Sequence, residues 1–214
     1  MVGNAPLGVD FSDLVDNSAV VYRINDCKNY DGLSGQKTDI VLINNLGDSV
    51  PRYLVEKPFL NKEICAKSEK FVIVRDHEVH RQFLISTNQQ RFLPMIEDQT
   101  TSIILENKIP LNKVVRYSGK FNLRVFNTLL DVRAKERISD ELFIMPSTGM
   151  FAILHALTRW RSHGFEINLI GFAFSGWGGH PWSCEKKLCS DLHDGNHVVW
   201  HRTARPDEDA PGAA

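Results

Sequence analysis

The chain has 214 residues, of which 43% are hydrophobic, and its formal net charge at pH 7 is -1. A chain of this length can bury a sizeable core and still lies within the size that one hydrophobic core serves. Because the charge is nearly balanced, no overall field attracts nucleic acid or an anionic membrane, and nucleic acid is not expected as a partner.

Neither a transmembrane segment nor a disulfide framework is predicted. No run of about eighteen apolar residues is present, and the first residues lack the basic and apolar segments of a signal peptide. The four cysteines lack the dense, even spacing of a small secreted scaffold. We therefore expect reduced thiols and a cytoplasmic protein.

Strands and helices alternate along the chain. Their apolar patterns predict, in order, a truncated first strand with the loop 3–8, strands at 19–25, 38–45 and 71–74, a helix at 121–137, a helix from Pro146 to Gly164, a strand at 165–170, a helix at 182–192 and a strand at 198–201. This alternation predicts an α/β fold with a doubly wound, mostly parallel sheet. Residues 1–205 are expected to form one domain, and residues 206–214 a disordered tail.

Ser147, Thr148 and Gly149 stand where the second of these helices begins. A helix start offers unpaired backbone N–H groups and the positive end of the helix dipole, while the hydroxyls and the glycine suit close approach of a phosphate. The alternative is that Ser147 or Thr148 simply caps the helix, and these residues alone favour that alternative.

Asn4 and Asn25 each follow a real or implied strand. Parallel α/β sheets bind ligands at the carboxyl ends of their strands, and an amide can both donate to and accept from a ribose or a pyrimidine. The alternative is turn chemistry, since asparagine is common at strand ends.

His180 lies in the loop that follows the strand at 165–170, and Glu185 lies in the first turn of the next helix. An imidazole titrates near neutrality, so His180 is a candidate general base, although a single histidine is more often structural. A carboxylate in a first helical turn is favoured by the helix dipole.

Two metal sites are weaker alternatives. One is a set of residue types that bind zinc, although it lacks a paired C-x2-C: His180, Cys184, Cys189 and His193. The other is a candidate metallohydrolase cluster of Asp76, His77 and His80. The acidic run Asp207-Glu208-Asp209 lies in the predicted tail, and neither a dinucleotide fingerprint nor a P-loop is present. We predict no bound metal and no cofactor.

Three blocks resemble the sialyltransferases of glycosyltransferase family 29. They are Val2-Gly3-Asn4 through Arg23-Ile24-Asn25 to Gly35-Gln36-Lys37-Thr38-Asp39, similar to the large sialylmotif; Pro146-Ser147-Thr148-Gly149-Met150 to Ile170-Gly171-Phe172, similar to the small sialylmotif; and His180-Pro181-Trp182-Ser183-Cys184-Glu185-Lys186-Lys187-Leu188, similar to the very small motif. The blocks follow the family's order and span nearly the whole chain.

The resemblance implies a Rossmann-like fold of the sialyltransferase variant of GT-A and a set of site residues. His180 would be the catalytic base, and Glu185 would support it in the catalytic pair. The residues that would bind the CMP part of the donor are Asn4, Asn25, Ser147, Thr148, Gly149 and Lys186.

The implied reaction is an inverting, metal-independent transfer of sialic acid from a CMP-sugar donor to a hydroxyl of a glycan or glycolipid acceptor. Alternatives are a CMP-Kdo donor, a degenerate nucleotide-binding protein, and a metal-dependent hydrolase. The family's membrane anchor and motif-linking disulfide are missing, which favours a bacterial-type cytoplasmic enzyme with at most a peripheral membrane contact. The segment from Gly171 to His180 is too short for the family's third motif, so Trp177 or no residue takes that role.

Overall fold

The computed structural model describes residues 1–47, 60–139 and 141–202. Its strands are β1 (Tyr22–Ile24), β2 (Ile40–Ile43), β3 (Lys70–Ile73), β4 (Val114–Arg116), β5 (Asn168–Ile170) and β6 (Val199–His201). Its helices are α1 (Ser12–Asp16), α2 (Lys62–Lys67), α3 (His77–Ser86), α4 (Thr100–Glu106), α5 (Gly119–Lys135), α6 (Thr148–Trp160) and α7 (Trp182–Asp194). The predicted α/β fold class is confirmed.

The strands pair in parallel throughout the described part of the sheet. Strands β1 to β4 are neighbours in sequence order, and β5 pairs with β6. Val2 bridges Arg23 of β1 on one side and Ile170 of β5 on the other, which gives the order β6-β5-Val2-β1-β2-β3-β4. Val2 therefore occupies the position of the truncated first strand. The topological switch point lies between Val2 and β5, because the chain winds outward to β4 before it returns to the other side of Val2.

Helices cover both faces of the sheet. Ile40 and Leu42 of β2 belong to a core formed with α5 and α6, whereas Val41 and Ile43 belong to a second core with Ile64 of α2 and other side chains. Strands buried on both faces need apolar residues at every position, so they appear in the sequence as continuous apolar runs.

Capping residues determine where α5 begins and where the segment after α6 ends. Helix α5 starts two residues before its predicted start because the Ser118 side chain caps it, accepting a hydrogen bond from the Phe121 backbone N–H. After α6, a single 3-10 turn leads to Gly164, whose φ of 80° ends the helix as predicted.

The region between residues 60 and 118 has no motif that sequence reasoning could interpret, yet it supplies β3, β4 and three helices. The predicted tail at 206–214, with Asp207, Glu208 and Asp209, lies outside the described residues. Among the described helices, none combines the length and apolarity needed to cross a bilayer.

Candidate active site

The carboxyl ends of the parallel strands lie along one edge of the sheet, and the region of this edge at the switch point is called the crevice below. Gly3, Asn25, Asn44, Arg75 and Gly171 follow Val2, β1, β2, β3 and β5 respectively. The amino terminus of α6 and the loop that carries His180 reach the same edge of the sheet. This is where parallel α/β proteins bind their ligands.

Backbone contacts fix the loop that follows Val2. The Gly3 N–H donates to the Ile170 carbonyl at 2.8 Å, and the Asn29 side-chain amide donates to the carbonyls of Gly3 and Ala5 at 2.8 and 2.7 Å. A Cβ atom on Gly3 would stand 2.2 Å from the Gly171 carbonyl oxygen. Glycine is therefore required where the two chain segments cross.

The start of α6 is tied to α7 by a buried carboxylate. Glu185, which is 0% exposed, accepts hydrogen bonds from the Ser147 backbone N–H at 2.6 Å and from the Ser147 hydroxyl at 2.5 Å. The same hydroxyl caps α6 by accepting from the Met150 N–H at 3.1 Å. Ser147 thus has the capping role weighed above, and Glu185 connects the cap to the helix that follows His180.

Glu185 titrates close to neutrality. Burial raises the pKa of its carboxyl to about 7, although the Ser147 hydrogen bonds and the positive charge of Arg75 oppose this shift. Glu185 can therefore change its protonation state within the physiological range.

The Glu185→Gln substitution should change how stability depends on pH. Since the folded pKa exceeds that of an unfolded glutamate, Glu185 stabilises the fold fully below about pH 4.5, and this contribution is lost as pH rises through about 7. The loss is at most roughly 3 kcal/mol. Urea unfolding from pH 4.5 to 8 should show this fall in wild type and not in Glu185→Gln. Equal pH dependence in both proteins would contradict the assignment.

Two backbone donors at the start of α6 remain available for a ligand. The N–H groups of Thr148 and Gly149 lie in the first turn, where a helix provides no acceptor, and neither has a hydrogen bond to another described residue. The Thr148 hydroxyl is also unpaired within that part of the chain. A Cβ atom on Gly149 would lie 3.0 Å from the Phe172 ring, so the glycine also allows close packing of this loop.

Asn4 and Asn25 differ in how many of their side-chain hydrogen-bonding groups remain available for a ligand. Asn4 donates to the Ile24 carbonyl at 3.2 Å and to Asp26 at 2.7 Å, and it accepts from the Lys28 N–H at 3.0 Å, so its amide holds the loop after β1. Asn25 has a left-handed φ of 50°, and its Oδ1 accepts from the Asn44 N–H at 2.9 Å. Its Nδ2 has no partner among the described residues, so this group is available for a ligand.

His180 presents one ring nitrogen as a base. Nδ1 lies 2.8 Å from the Met145 carbonyl oxygen, which can only accept, so Nδ1 carries the proton and Nε2 keeps its lone pair. Burial and the charge of Arg75 lower the pKa of His180 to about 3. The ring centroids of Trp177 and Trp182 each lie 4.9 Å from that of His180, and both rings are nearly perpendicular to the imidazole. The imidazole is therefore neutral and fixed in orientation.

Arg75 and Asn44 were not found by sequence reasoning. Arg75 is 2% exposed and directly follows the buried run 71–74, and its Nε donates to Asn44 Oδ1 at 2.6 Å. The signal that could have found them is their position, since polar residues directly after buried parallel strands point to the ligand edge.

Lys186 and Trp177 lie at the margin of the crevice. Lys186 is exposed and forms no ion pair with any residue in the described ranges, while Trp177 is 41% exposed and contacts His180. Their roles stay predictions.

Neither alternative metal site is assembled. His180 precedes α7 by two residues and His193 lies in the last turn of this 13-residue helix, a separation of roughly 20 Å. The Asp76 side chain caps α3, and His80 is buried with Nε2 beside Arg75. Within residues 1–47, 60–139 and 141–202, no three His, Cys, Asp or Glu side chains form a group that could hold a metal ion.

A cavity of about 150 Å³ lies at the opposite edge of the sheet, between Val20, Trp160 and Asn168. We place the candidate site at the crevice and not in this cavity. The amino ends of parallel strands lack the converging loops and helix starts that bind anions.

Comparison with known proteins supports the fold. No family model matches the chain. The chain is 22% identical over 195 residues to the urease operon 23 kDa accessory protein of Rhizobium meliloti (strain 1021). The aligned residues cover 90% of this chain and 87% of that protein. Two crystal structures of a mammalian sialyltransferase, one in complex with Gal-beta-1-3GalNAc-ortho-nitrophenol, match with a TM-score of 0.56 and 18% identity over 95% of this chain and 68% of theirs. The fold is therefore sialyltransferase-like, as the three blocks implied.

Proposed function

We propose that this chain is an inverting, metal-independent glycosyltransferase that moves sialic acid, or a related keto-sugar acid such as Kdo, from a CMP donor to a glycan hydroxyl. The observation that carries this proposal is the pairing of Ser147 with buried Glu185 beside a fixed, neutral His180, at the switch point of a sialyltransferase-like fold. The three sequence blocks include all three of these residues.

The chemistry needs one displacement. His180 Nε2 takes the proton of the acceptor hydroxyl while that oxygen forms a bond to the anomeric carbon, and the bond from that carbon to the phosphate oxygen breaks on the opposite face. CMP leaves as an anion, and the anomeric configuration inverts. The N–H groups of Thr148 and Gly149 would bind the departing phosphate. Because CMP carries one phosphate and not a diphosphate, the proposed reaction needs no metal ion to bridge two phosphates.

The sequence relative is named for a urease operon, which describes where its gene lies and states no reaction. The rival with support from the residues is a nucleotide-binding protein that has lost turnover, since the segment from Gly171 to His180 is too short for the third motif of the sialyltransferases. It predicts CMP binding without transfer, and binding that survives His180→Ala.

The first test is titration calorimetry with CMP, CDP, UDP and GDP in the presence of chelator. Selective binding of CMP, weakened in Asn25→Ala, would support the nucleotide crevice. Transfer assays with CMP-sialic acid and CMP-Kdo would then identify the donor sugar. If no cytidine nucleotide binds, the proposed function is wrong.

The Thr148→Val substitution should weaken CMP binding without weakening the fold. The hydroxyl has no partner in the described part of the chain, so its replacement by a methyl group leaves no protein group unsatisfied. Losing one hydrogen bond to phosphate should raise the Kd of CMP about tenfold. Thr158→Val, on the exposed face of the same helix, is the matched control for calorimetry and thermal unfolding. Unchanged CMP affinity in Thr148→Val would remove Thr148 from the nucleotide site.

A further inference from the structure

Arg75 is a buried cation at the centre of the crevice. It follows β3, and its guanidinium carbon lies 5.5 Å from the ring centroid of Phe151 in the first turns of α6. Its charge acts on both His180 and Glu185. The guanidinium therefore lies near the first turns of α6, where its positive charge reaches the proposed base and the carboxylate that holds the start of this helix.

The hydrogen bonds of Arg75 leave much of its guanidinium unused. Nε donates to Asn44 Oδ1 at 2.6 Å, and Nη1 donates to His80 Nε2 at 3.3 Å. His80 can accept because its Nδ1 donates to the Asp76 carbonyl at 2.9 Å. Nη2 has no partner anywhere in residues 1–47, 60–139 and 141–202, and no carboxylate there forms an ion pair with Arg75.

Arg23, a second buried arginine, has hydrogen-bond acceptors for all three of its side-chain nitrogens. Arg23 is 1% exposed, and all three of its nitrogens donate to oxygen atoms, with Nη1 at 2.8 Å from Ser34 Oγ and Nη2 at 2.8 Å from the carbonyls of Ser34 and Gly35. Arg23 thus holds the loop after β1. Arg75 has the same burial without the same set of acceptors, although an uncompensated buried charge is strongly unfavourable.

We propose that Arg75 is the group that binds the anionic part of the donor, an oxyanion that accepts from Nη2 and the free N–H of Nη1. Two oxyanions of the donor have this chemistry, the phosphate of CMP and the carboxylate of the sugar acid. A planar guanidinium binds either one through two parallel hydrogen bonds. His80 and Asn44 fix the guanidinium without neutralising its charge, which Glu185 offsets only at a distance and without an ion pair.

This inference rests on the proposed function only for the identity of the donor, since an anion site at Arg75 can be measured without a nucleotide. The experiment compares wild type, Arg75→Met, Arg75→Lys and the control Arg81→Met, whose side chain is 41% exposed. Calorimetry measures cytidine, CMP and CMP-sialic acid without acceptor, and thermal unfolding is followed against inorganic phosphate. Arg75→Met should lower the urea midpoint less than Arg23→Met does, because Arg23 supports a larger set of acceptors.

If Arg75 binds the phosphate, Arg75→Met should raise the Kd of CMP at least tenfold and leave cytidine unchanged. If it binds the carboxylate, only CMP-sialic acid should lose at least tenfold in affinity. In both cases Arg75→Lys should retain part of the affinity, and Arg81→Met should match wild type. Unchanged affinity for all three ligands in Arg75→Met would overturn the inference.

The phosphate arm separates this inference from the proposed function. If wild type binds no cytidine nucleotide, the transferase proposal fails, but a melting temperature that rises with phosphate in wild type and not in Arg75→Met would still support the anion site. When no cytidine nucleotide binds, an equal response to phosphate in the two proteins, or no response in wild type, would overturn the anion site as well.

Discussion

Replacing His180 with alanine should lower the rate of transfer by about 10²- to 10⁴-fold, the usual contribution of a positioned general base, while CMP still binds. In the proposed reaction the acceptor hydroxyl loses its proton to Nε2, and no other described histidine takes that place in the crevice. Met145 holds the ring through Nδ1, so wild type presents Nε2 without rearrangement. The measurement is kcat with a saturating CMP-sugar donor, together with the Kd of CMP.

The dependence of kcat/KM on pH should distinguish the ionisation of His180 from that of Glu185. Because the pKa of His180 is lowered to about 3, its base form is present above about pH 4 and is lost only as pH falls further. An ionisation near pH 7 in kcat/KM should instead belong to Glu185 and be absent in Glu185→Gln. His163→Ala, at an exposed position after α6, is the control. Full transfer activity in His180→Ala would show that another group is the base.

The Gly3→Ala substitution should destabilise the protein by several kcal/mol. The added Cβ would stand 2.2 Å from the Gly171 carbonyl oxygen, and this contact is with backbone that cannot rotate away. Val2 and β5 must then separate, which breaks the bridge that joins the two parts of the sheet. Chemical unfolding should show a lower midpoint, and CMP binding should weaken because the crevice opens at its base.

Gly178→Ala is the matched control for this change. An added Cβ at Gly178 meets no atom within 4 Å, and its φ lies outside the range that disfavours side chains. It should leave the unfolding midpoint near that of wild type. Equal stability of Gly3→Ala and Gly178→Ala would mean that the close crossing of Gly3 and Gly171 is not needed for the fold.

Local signals in the sequence identified much of the fold. The run Ile40 to Ile43 is apolar because both faces of β2 are covered, and Ser147 precedes a helix whose apolar residues recur at helical spacing. Both patterns depend on neighbours in sequence. The edges of strands were less well predicted, since pairing with other strands decides where a strand ends: the strand expected at 165–170 is regular only from Asn168.

The sequence predicted several residues of the candidate site but not the hydrogen bonds that join them. Ser147 and Glu185 were each named, but a hydrogen bond between residues 38 positions apart depends on how α6 and α7 pack. Arg75 was missed because a lone arginine in a motif-free region carries no local sign that His80 and Asn44 will surround it. The amide of Asn4 shows the reverse case, in which a residue named as a ligand group is engaged by the loop after β1.

The link between Glu185 and the start of α6 also couples ligand affinity to proton uptake. An anion bound at the N–H groups of Thr148 and Gly149 lies next to a carboxyl that is partly ionised at neutral pH. Repulsion between like charges raises the pKa of that carboxyl further, so the protein gains protons as the anion arrives. By reciprocity, acidification favours the loaded state and alkaline conditions favour release. The proton on Glu185 would thereby act as a second ligand of the crevice, taken up when an anion binds and given back when the anion leaves.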